Sequence, residues 1–284
     1  MDQMLSAYLA RIGLDAPPGR DRQGLAQVQL AHRRAIAFEN LDVMAGKSIA
    51  IDTQAVFAKL VAGRRGGYCF EQNRLYSDML DALGFVNRPL LARVRLSLAG
   101  GSIPPRTHML LLVELAGEHW IADAGFGGSY VPPMRLEDGF STTSHDGAAH
   151  RLRALPGGGG LDGDWLLERA VPGSQDDGRV IREEDWRQQY SFELAEVAPD
   201  DLAAANHWTS TRKDTRFTTH HIASIVLADG FASLQDRKLT IHRAGRSDMR
   251  EIGGPEEYRL VLADLFGLSF DPDEVGGLPL FASG

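Results

Sequence analysis

The hydrophobic period of this chain changes near Phe85, and this change constrains the fold more than any other feature of the sequence. Before Phe85, apolar residues recur three and four positions apart, as Leu5, Leu9 and Ile12 do, which predicts amphipathic helices. Beyond it they alternate with polar residues or form the short runs that are typical of strands. Helices followed by strands predict an α+β protein rather than a regular βαβ array.

The same pattern divides the chain of 284 residues into three parts. Residues 1–84 are predicted to form a helical domain, residues 85–198 a β-rich domain, and residues 199–284 a mixed α/β domain. Within the second part, residues 132–178 are rich in Gly, Pro, Asp and Ser, which predicts loops. The length is sufficient for two or three packed layers or small domains.

The single cysteine, Cys69, follows Gly66 and Gly67 at the predicted start of a helix that ends at Gly84. Tandem glycines let backbone N–H groups approach a ligand closely, and the N-terminal end of a helix stabilises a thiolate. A lone thiol can neither close an intramolecular disulfide nor form a four-thiolate zinc site, and it fits a reducing cytoplasm. Two interpretations stay open at this point: a buried inert thiol and an activated nucleophile.

A histidine and an aspartate further along the chain are the other parts of an activated cysteine. Residues 108–123 are predicted to form a hairpin that turns at Ala116 and Gly117. With a two-residue turn, His108 and Asp123 are diagonal neighbours on one face, within side-chain reach, whereas a three-residue turn would separate them. Taken alone, His108 is equally well explained as a surface residue at a strand end, and Asp123 as a turn former.

Four segments resemble motifs of the arylamine N-acetyltransferase family. Residues 65–73, RGGYCFEQN, are similar to the family's nucleophile motif Arg-Gly-Gly-x-Cys-x-Glu-x-Asn, and residues 38–41 to its Phe-Glu-Asn-Leu segment. Thr107-His108 opens a Leu-rich strand as the family's histidine does, and residues 123–127, DAGFG, are similar to Asp-Val-Gly-Phe-Gly. The chain departs from the family pattern at Ala37, where Pro is usual, and by having Ala in place of that Val.

The resemblance implies both a fold and an activity. The implied fold has an N-terminal helical bundle, a central β-barrel-like domain and a C-terminal α/β lid, with a cysteine-protease-like core between the first two. The implied activity is that of an acyltransferase that passes acetyl from acetyl-CoA through a Cys69 thioester to aromatic amines, hydrazines or N-hydroxyarylamines by double displacement. His108 is then the base and Asp123 its orienting partner. Acetyl-CoA is a co-substrate, and no permanently bound cofactor is expected.

Further substrate and CoA contacts are expected from the same resemblance. Gly125, Phe126 and Gly127 are expected to form a loop whose backbone contacts CoA and whose phenyl ring lines the acceptor pocket; without the resemblance, a plain β-turn explains this segment. Phe38 is similar to the aromatic residue that the family places beside its cysteine. The remaining candidates are Tyr68 and Val94 in the cleft, Thr107 near CoA, and Phe231 as an aromatic residue near CoA.

Glu71 of the cysteine motif is predicted to have a structural role. With Glu39 or with Arg65, it is expected to take part in buried ion pairing that orients the loop before Cys69. No HExxH or CxxC pattern is present, and the histidines lack the spacing of a metal site, so no metal is expected.

The charge of the chain restricts its partners. A net charge of −8 argues against binding of nucleic acid. It also argues against binding of an anionic cofactor unless the electrostatic field at its site is locally positive. Residues 237–250 are one candidate for such a field, since they hold five Lys or Arg against one Asp, a net of +4; a solvated surface explains them equally well. No apolar run approaches the ~18 residues that span a bilayer. A cytoplasmic monomer or homodimer is expected.

Three other activities stay open from the sequence. A relative with the same three residues could form an amide that releases a polyketide chain, taking its acyl group from a carrier protein. A cysteine hydrolase has the same order of Cys, His and Asp, and a binding protein without activity is the third alternative. Turnover of acetyl-CoA separates the first of these from the acetyltransferase, and peptide hydrolysis without acetyl transfer would favour the second.

Overall fold

The computed structural model describes residues 2–96, 103–156, 163–170, 185–243 and 246–281. Helices dominate its N-terminal part, strands its centre, and both are present in its C-terminal part, so the α+β class predicted from the hydrophobic period is confirmed. Within these ranges no helix combines the length and the apolar composition that crossing a membrane requires.

Local capping signals explain where several of the helices begin. In the described ranges the helices are α1 (Asp2–Ile12), α2 (Arg22–Ala35), α3 (Leu41–Met44), α4 (Thr53–Phe57), a π-helical turn (Ala58–Ala62), α5 (Cys69–Ala82), α6 (Pro199–Thr211), α7 (Arg216–Thr219), α8 (Pro255–Asp264) and α9 (Pro272–Gly276). Asp21 caps α2 by accepting from the Gly24 N–H at 2.8 Å, and Asp52 caps α4 by accepting from the Ala55 N–H at 2.9 Å. Helix α5 begins at Cys69, as predicted.

Eight strands of the described part form one antiparallel, nearly closed, barrel-like sheet. They are β2 (Val86–Val94), β3 (Arg106–Leu115), β4 (Glu118–Ala122), β5 (Met134–Arg135), β6 (Ser141–Thr143), β7 (Ala149–Ala154), β8 (Trp165–Ala170) and β9 (Arg187–Phe192). Their order is β5-β4-β3-β2-β9-β8-β7-β6. Strands β5 to β8 lie within residues 132–178, so the prediction of loops is wrong for the described part of that range, because these strands are short and the segments between them are rich in Gly and Asp. Residues 157–162 and 171–178 lie outside the described residues.

The hairpin of β3 and β4 has the register that the sequence predicts. Leu115 pairs with Glu118 across a two-residue turn at 116–117, and both turn residues have positive φ. His108 and Asp123 are therefore diagonal neighbours on one face of the hairpin, just beyond its last pair. The local turn thus determines which side chains meet at the open end of the hairpin.

A smaller antiparallel sheet combines strands from both ends of the chain. Its strands, in spatial order, are β1 (Phe38–Glu39), β10 (Ile222–Leu227), β11 (Gly230–Gln235), β12 (Lys238–Arg243) and β13 (Arg246–Glu251). Phe38 pairs with Ser224, so the predicted helical part contributes a strand to the C-terminal sheet. The division into domains 1–84, 85–198 and 199–284 stays a prediction.

Strand β3 is buried on both faces and separates two apolar clusters. Leu111 and Val113 pack with helices α1, α2 and α5, while Leu110 and Leu112 face the interior of the barrel-like sheet. A third cluster lies between the smaller sheet and α8. Because side chains alternate along a strand, His108 lies on the same side of β3 as Leu110 and Leu112, facing the interior of the sheet.

Candidate active site

The thiol of Cys69 lies at the start of α5 and points to the end of β3. The residue is 3% exposed, and Sγ is 3.6 Å from the carbonyl oxygen of Thr107. The carboxylate of Glu71 accepts from the Tyr68 N–H at 3.0 Å, which fixes the entry into the helix. The unpaired N–H groups of the first helical turn therefore lie beside the thiol.

The Gly66-Gly67 turn leaves no room for side chains. A Cβ on Gly67 would lie 2.7 Å from a carboxylate oxygen of Glu71, and Gly66 packs directly against the carbonyl group of Ala37. The N–H of Glu39 donates to the carbonyl oxygen of Gly67 at 3.0 Å. The turn that precedes Cys69 is thus joined to β1 by a backbone hydrogen bond, and the close packing of Gly66 beside it requires glycine.

The ion pairs beneath this turn correct one prediction. Glu71 pairs with Lys59, whose Nζ lies 2.7 Å from Glu71 and 2.8 Å from Asp42. Arg65 instead pairs with Asp42 at 3.0 Å and with Glu39 at 3.3 Å. Buried ion pairing of Glu71 is therefore confirmed, but the partner predicted for it is wrong. The π-helical turn places Lys59 beside α5, and no local sequence pattern predicts that contact.

His108 and Asp123 form a buried hydrogen bond behind the thiol. The distance from Nε2 of His108 to Oδ2 of Asp123 is 2.7 Å, and the two residues are 2% and 1% exposed. With Nε2 engaged by the carboxylate, Nδ1 is the ring nitrogen left for the Cys69 thiol, with which the imidazole also interacts. The diagonal placement predicted from the hairpin turn is confirmed.

The charges of this pair stabilise each other. Burial alone disfavours the imidazolium, but the Asp123 carboxylate and the Cys69 thiol outweigh burial and raise the pKa of His108 to about 10. Burial also favours a neutral carboxyl, yet His108, Asn73 and the Gly125 N–H outweigh it and lower the pKa of Asp123. The imidazolium and the carboxylate are therefore the expected forms at neutral pH.

Two amide side chains hold Asp123 in place. Asp123 Oδ1 accepts from Asn73 Nδ2 at 3.0 Å and from the Gly125 N–H at 2.9 Å, and the Asp123 N–H donates to Gln29 Oε1 at 2.9 Å. The sequence analysis predicts no role for either amide. Asn73 follows Cys69 by one helical turn, and residues four apart share a helix face, so this spacing could have placed Asn73 at the site. Nothing local identifies Gln29.

A cavity of about 480 Å³ opens above Cys69 and His108. Six of the predicted substrate residues line it, namely Phe38, Val94, Thr107, Gly125, Phe126 and Gly127. Trp208 and Phe217 complete a wall that is mostly aromatic and aliphatic.

Tyr68 is not part of that wall. Its side chain is fully buried, and its hydroxyl donates to the side-chain oxygen of Asn206, with the carbonyl oxygen of the same residue 3.1 Å away. Its ring packs against Phe70 and Phe217. The prediction that Tyr68 lines the cleft is wrong, because the residue that precedes α5 directs its side chain toward α6 and the core.

Comparisons with known proteins identify the family. A sequence model described as N-acetyltransferase matches residues 21–275. An arylamine N-acetyltransferase from Escherichia coli is 35% identical over 280 residues, covering 97% of this chain and 92% of that protein. The chain belongs to the arylamine N-acetyltransferase family. It is therefore an acyltransferase.

Further relatives of this family extend the match. A Salmonella typhimurium protein named arylamine N-acetyltransferase / N-hydroxyarylamine O-acetyltransferase is 36% identical over 231 residues, 81% of this chain and 75% of that protein. A solved arylamine N-acetyltransferase structure from the same species has a TM-score of 0.87 at 31% identity and covers 98% of both chains. The Mycobacterium marinum arylamine N-acetyltransferase in complex with CoA has a TM-score of 0.83 at 30% identity, covering 95% of this chain and 96% of that one.

A second, more polar cavity adjoins the first in this member of the arylamine N-acetyltransferase family. It measures about 630 Å³ and shares Gly127, Gly128, Arg216 and Ile222 with the cavity above Cys69. Its wall includes the predicted Phe231. The described residues contain no group of three or more His, Cys, Asp and Glu side chains arranged to hold a metal ion.

Four arginines line the polar cavity. Arg243 and Arg246 of the basic segment 237–250 line it, and Arg169 and Arg216 join them from other elements. Arg237 and Arg250 of that segment are engaged elsewhere: Arg237 donates to the carbonyl oxygen of Ile252 at 2.6 Å, and Arg250 pairs with Glu257. Some of the basic side chains of this segment thus line the cavity, and the others form contacts away from it.

Proposed function

We propose that the protein transfers an acetyl group from acetyl-CoA to aromatic amines, hydrazines or N-hydroxyarylamines through a thioester on Cys69. One observation carries the proposal: a thiol at the start of a helix adjoins an imidazole that a buried carboxylate holds at 2.7 Å. Those three groups suit nucleophilic catalysis. The names of the relatives support arylamines and N-hydroxyarylamines as acceptors, the resemblance of the motifs adds hydrazines, and the CoA in one of their structures supports acetyl-CoA as the donor.

In the first half of the proposed reaction, Cys69 takes the acetyl group. Asp123 fixes the tautomer of His108 and stabilises its charge, and His108 removes the proton of the Cys69 thiol. The thiolate attacks the thioester carbonyl, and the oxyanion faces the N–H groups at the start of α5. The carbon–sulfur bond to CoA then breaks, and His108 returns the proton to the departing CoA thiolate.

In the second half, the acceptor takes the acetyl group from Cys69. The amine enters the cavity after CoA has left, and the aromatic walls formed by Phe38, Phe126 and Phe217 suit a flat ring. The amine attacks the acetyl carbonyl, His108 accepts the amine proton, and the bond to Cys69 breaks. The products are the amide and the regenerated thiolate–imidazolium pair.

The polar cavity is the proposed place for the phosphates of CoA. Arg216 and Arg246 supply positive charge there, together with Arg243, which also pairs with Asp229 of the same wall at 3.4 Å. A chain of net charge −8 needs such a local field in order to bind a polyanion. The pantetheine would pass between the two cavities along the Gly127-Gly128 backbone. Phe231 is the aromatic residue proposed beside the nucleotide. A cytoplasmic location, which suits a thiol that must stay reduced, and a monomeric or homodimeric state stay predictions.

Initial-rate kinetics test the proposal. With acetyl-CoA and an arylamine both varied, double displacement predicts parallel reciprocal plots. Cys69→Ala should abolish transfer and leave the melting temperature close to that of the wild type. Intersecting plots would mean direct transfer in a ternary complex and would remove the thioester from the account. Peptide hydrolysis without acetyl transfer would instead identify a hydrolase.

A further inference from the structure

Arg33 on α2 is a buried cation with few partners. Its side chain is 0% exposed, and Nη2 donates to the carbonyl oxygen of Phe126 at 3.2 Å. Nη1 has no hydrogen-bond partner, and within the described ranges no carboxylate lies close enough to form an ion pair with the guanidinium. Burying a guanidinium is costly unless a negative charge compensates it.

Asp123 supplies negative charge near Arg33. Gln29, one turn before Arg33 on α2, accepts from the Asp123 N–H at 2.9 Å, and the Phe126 carbonyl group that Arg33 holds lies three residues after Asp123, so the two charges attract each other without direct contact. The carboxylate oxygens of Asp123 are already occupied by His108, Asn73 and the Gly125 N–H. Arg33 therefore acts on Asp123 at longer range, through the low dielectric of the interior.

The other ionisable groups around Asp123 and Arg33 are uncharged near neutral pH, so they do not change the attraction between these two residues. Burial raises the pKa of the nearby tyrosine hydroxyls, which stay neutral: Tyr76 from α5 and Tyr190 from β9, which face Asp123, and Tyr130 from the segment after β4, which faces Arg33. Burial also lowers the pKa of His32 on α2 to about 3, against the hydrogen bond that His32 Nε2 donates to Gln72 Oε1, so His32 is neutral. Arg33 itself stays charged, since burial lowers its pKa only to about 10, with Asp123 and Tyr130 opposing.

We propose that Arg33 is a positioning residue that keeps the buried site electrically neutral while Cys69 is a thiolate. In that state Cys69 and Asp123 carry negative charge, and His108 and Arg33 carry positive charge. Glu71, two residues along α5 from Cys69, is balanced separately: burial raises its pKa to about 7 against the effect of Lys59, and it belongs to the ion pairs of Lys59, Asp42, Arg65 and Glu39. Without the guanidinium the thiolate form would carry an uncompensated negative charge, so protonation of the thiol would be favoured. The proposal rests on the proposed function, because it takes the Cys69 thiolate as the nucleophile.

The bond to Phe126 gives Arg33 a second effect. The carbonyl group that it holds belongs to the loop between Gly125 and Gly127, which lines the cavity above Cys69. One side chain thus supports both the charge of the site and the loop on its wall. Replacement by lysine would retain the charge but lose the planar guanidinium, so the two effects can be separated.

Alkylation by iodoacetamide as a function of pH tests the proposal. Cys69 is the only cysteine, so the mass gain reports on one thiol. Arg33→Met should move the acidic limb of the alkylation-rate profile to higher pH, by on the order of one pH unit. Arg33→Lys should keep the limb near that of the wild type. Arg34→Met is the matched control: it removes the same charge from the adjacent, exposed residue, whose guanidinium donates only to a surface carbonyl group, and should shift nothing.

A profile for Arg33→Met that superimposes on the wild type would overturn the proposal, as would an equal shift in Arg34→Met. A lower melting temperature without a shift of the limb would reduce Arg33 to a structural residue, which also contradicts it. If Arg33→Met does not fold, Arg33→Lys decides, because a shift by a full unit with the charge retained refutes charge balance. Failure of the proposed function would appear earlier, as a wild-type protein that acetyl-CoA does not acetylate.

Discussion

Replacing Asn73 by alanine should destabilise the protein and disable the site together. The side chain is fully buried and forms three hydrogen bonds: Nδ2 donates to the Met109 carbonyl at 2.5 Å and to Asp123 at 3.0 Å, and Oδ1 accepts from the Ala124 N–H at 2.9 Å. A neutral hydrogen bond contributes about 1 kcal/mol, and one to a carboxylate about 1.5–3 kcal/mol, so the unfolding free energy should fall by about 3.5–5 kcal/mol.

Asn87 provides the matched control. Its side chain also takes part in three hydrogen bonds, to Ser77 Oγ at 2.7 Å, to the Ser77 carbonyl at 3.3 Å and to Asp81 at 2.7 Å, but it is only half-buried. Water can replace those partners, so Asn87→Ala should cost about 1 kcal/mol or less. Urea unfolding followed by circular dichroism gives both values, and acetylation of a simple arylamine gives the activities.

The contrast between the two variants is the test. Asn73→Ala should lose activity in conditions where it is still folded, because Asp123 loses a partner that orients it toward His108. Equal and small losses of stability for both asparagines would refute the argument from buried hydrogen bonds. Full activity in folded Asn73→Ala would show that the amide does not position the carboxylate.

Three further changes examine neighbouring parts of the site. Asp123→Asn should lower kcat roughly 10⁴-fold in conditions where it is still folded, since an amide neither stabilises the imidazolium nor selects the tautomer; retained activity would make Asp123 a turn residue only. Gly125→Ala should slow transfer and alkylation, because its Cβ would lie 2.8 Å from Cys69 Cα, whereas Gly276→Ala, with open space around it, should not. His108 has its pKa raised from 6.5 to about 10, so its contribution to stability is complete below pH 6.5 and is lost as pH rises toward 10; urea titrations should show that fall in the wild type and not in His108→Gln.

The parts of the site that the sequence predicts have local signals. Helix α5 begins after the Gly66-Gly67 pair and ends before Gly84, which has the positive φ of 84° that glycine adopts readily. The two-residue turn after Leu115 determines the parity of its hairpin, so the meeting of His108 and Asp123 follows from a short stretch of chain. These elements depend on neighbours in sequence, which a pattern can report.

The contacts that the sequence does not predict join distant segments. Strand β1 has two residues, and its register depends on Ser224, nearly two hundred positions away. The partner of Glu71 is Lys59, and Arg33 reaches the carbonyl group of Phe126 from another element. Gln29 likewise bonds the backbone of Asp123 without any periodic signal. Such contacts arise from tertiary packing, and neither spacing nor propensity reports them.

Intact mass after incubation with acetyl-CoA and no amine tests the central claim most directly. The account predicts that one acetyl group is added, that peptide mapping locates it on Cys69, and that an arylamine then removes it as the acetylated amine. Cys69→Ala should gain nothing under the same conditions. If the wild-type protein transfers acetyl groups to an arylamine but never carries one itself, Cys69 is not the nucleophile and the proposed mechanism is wrong.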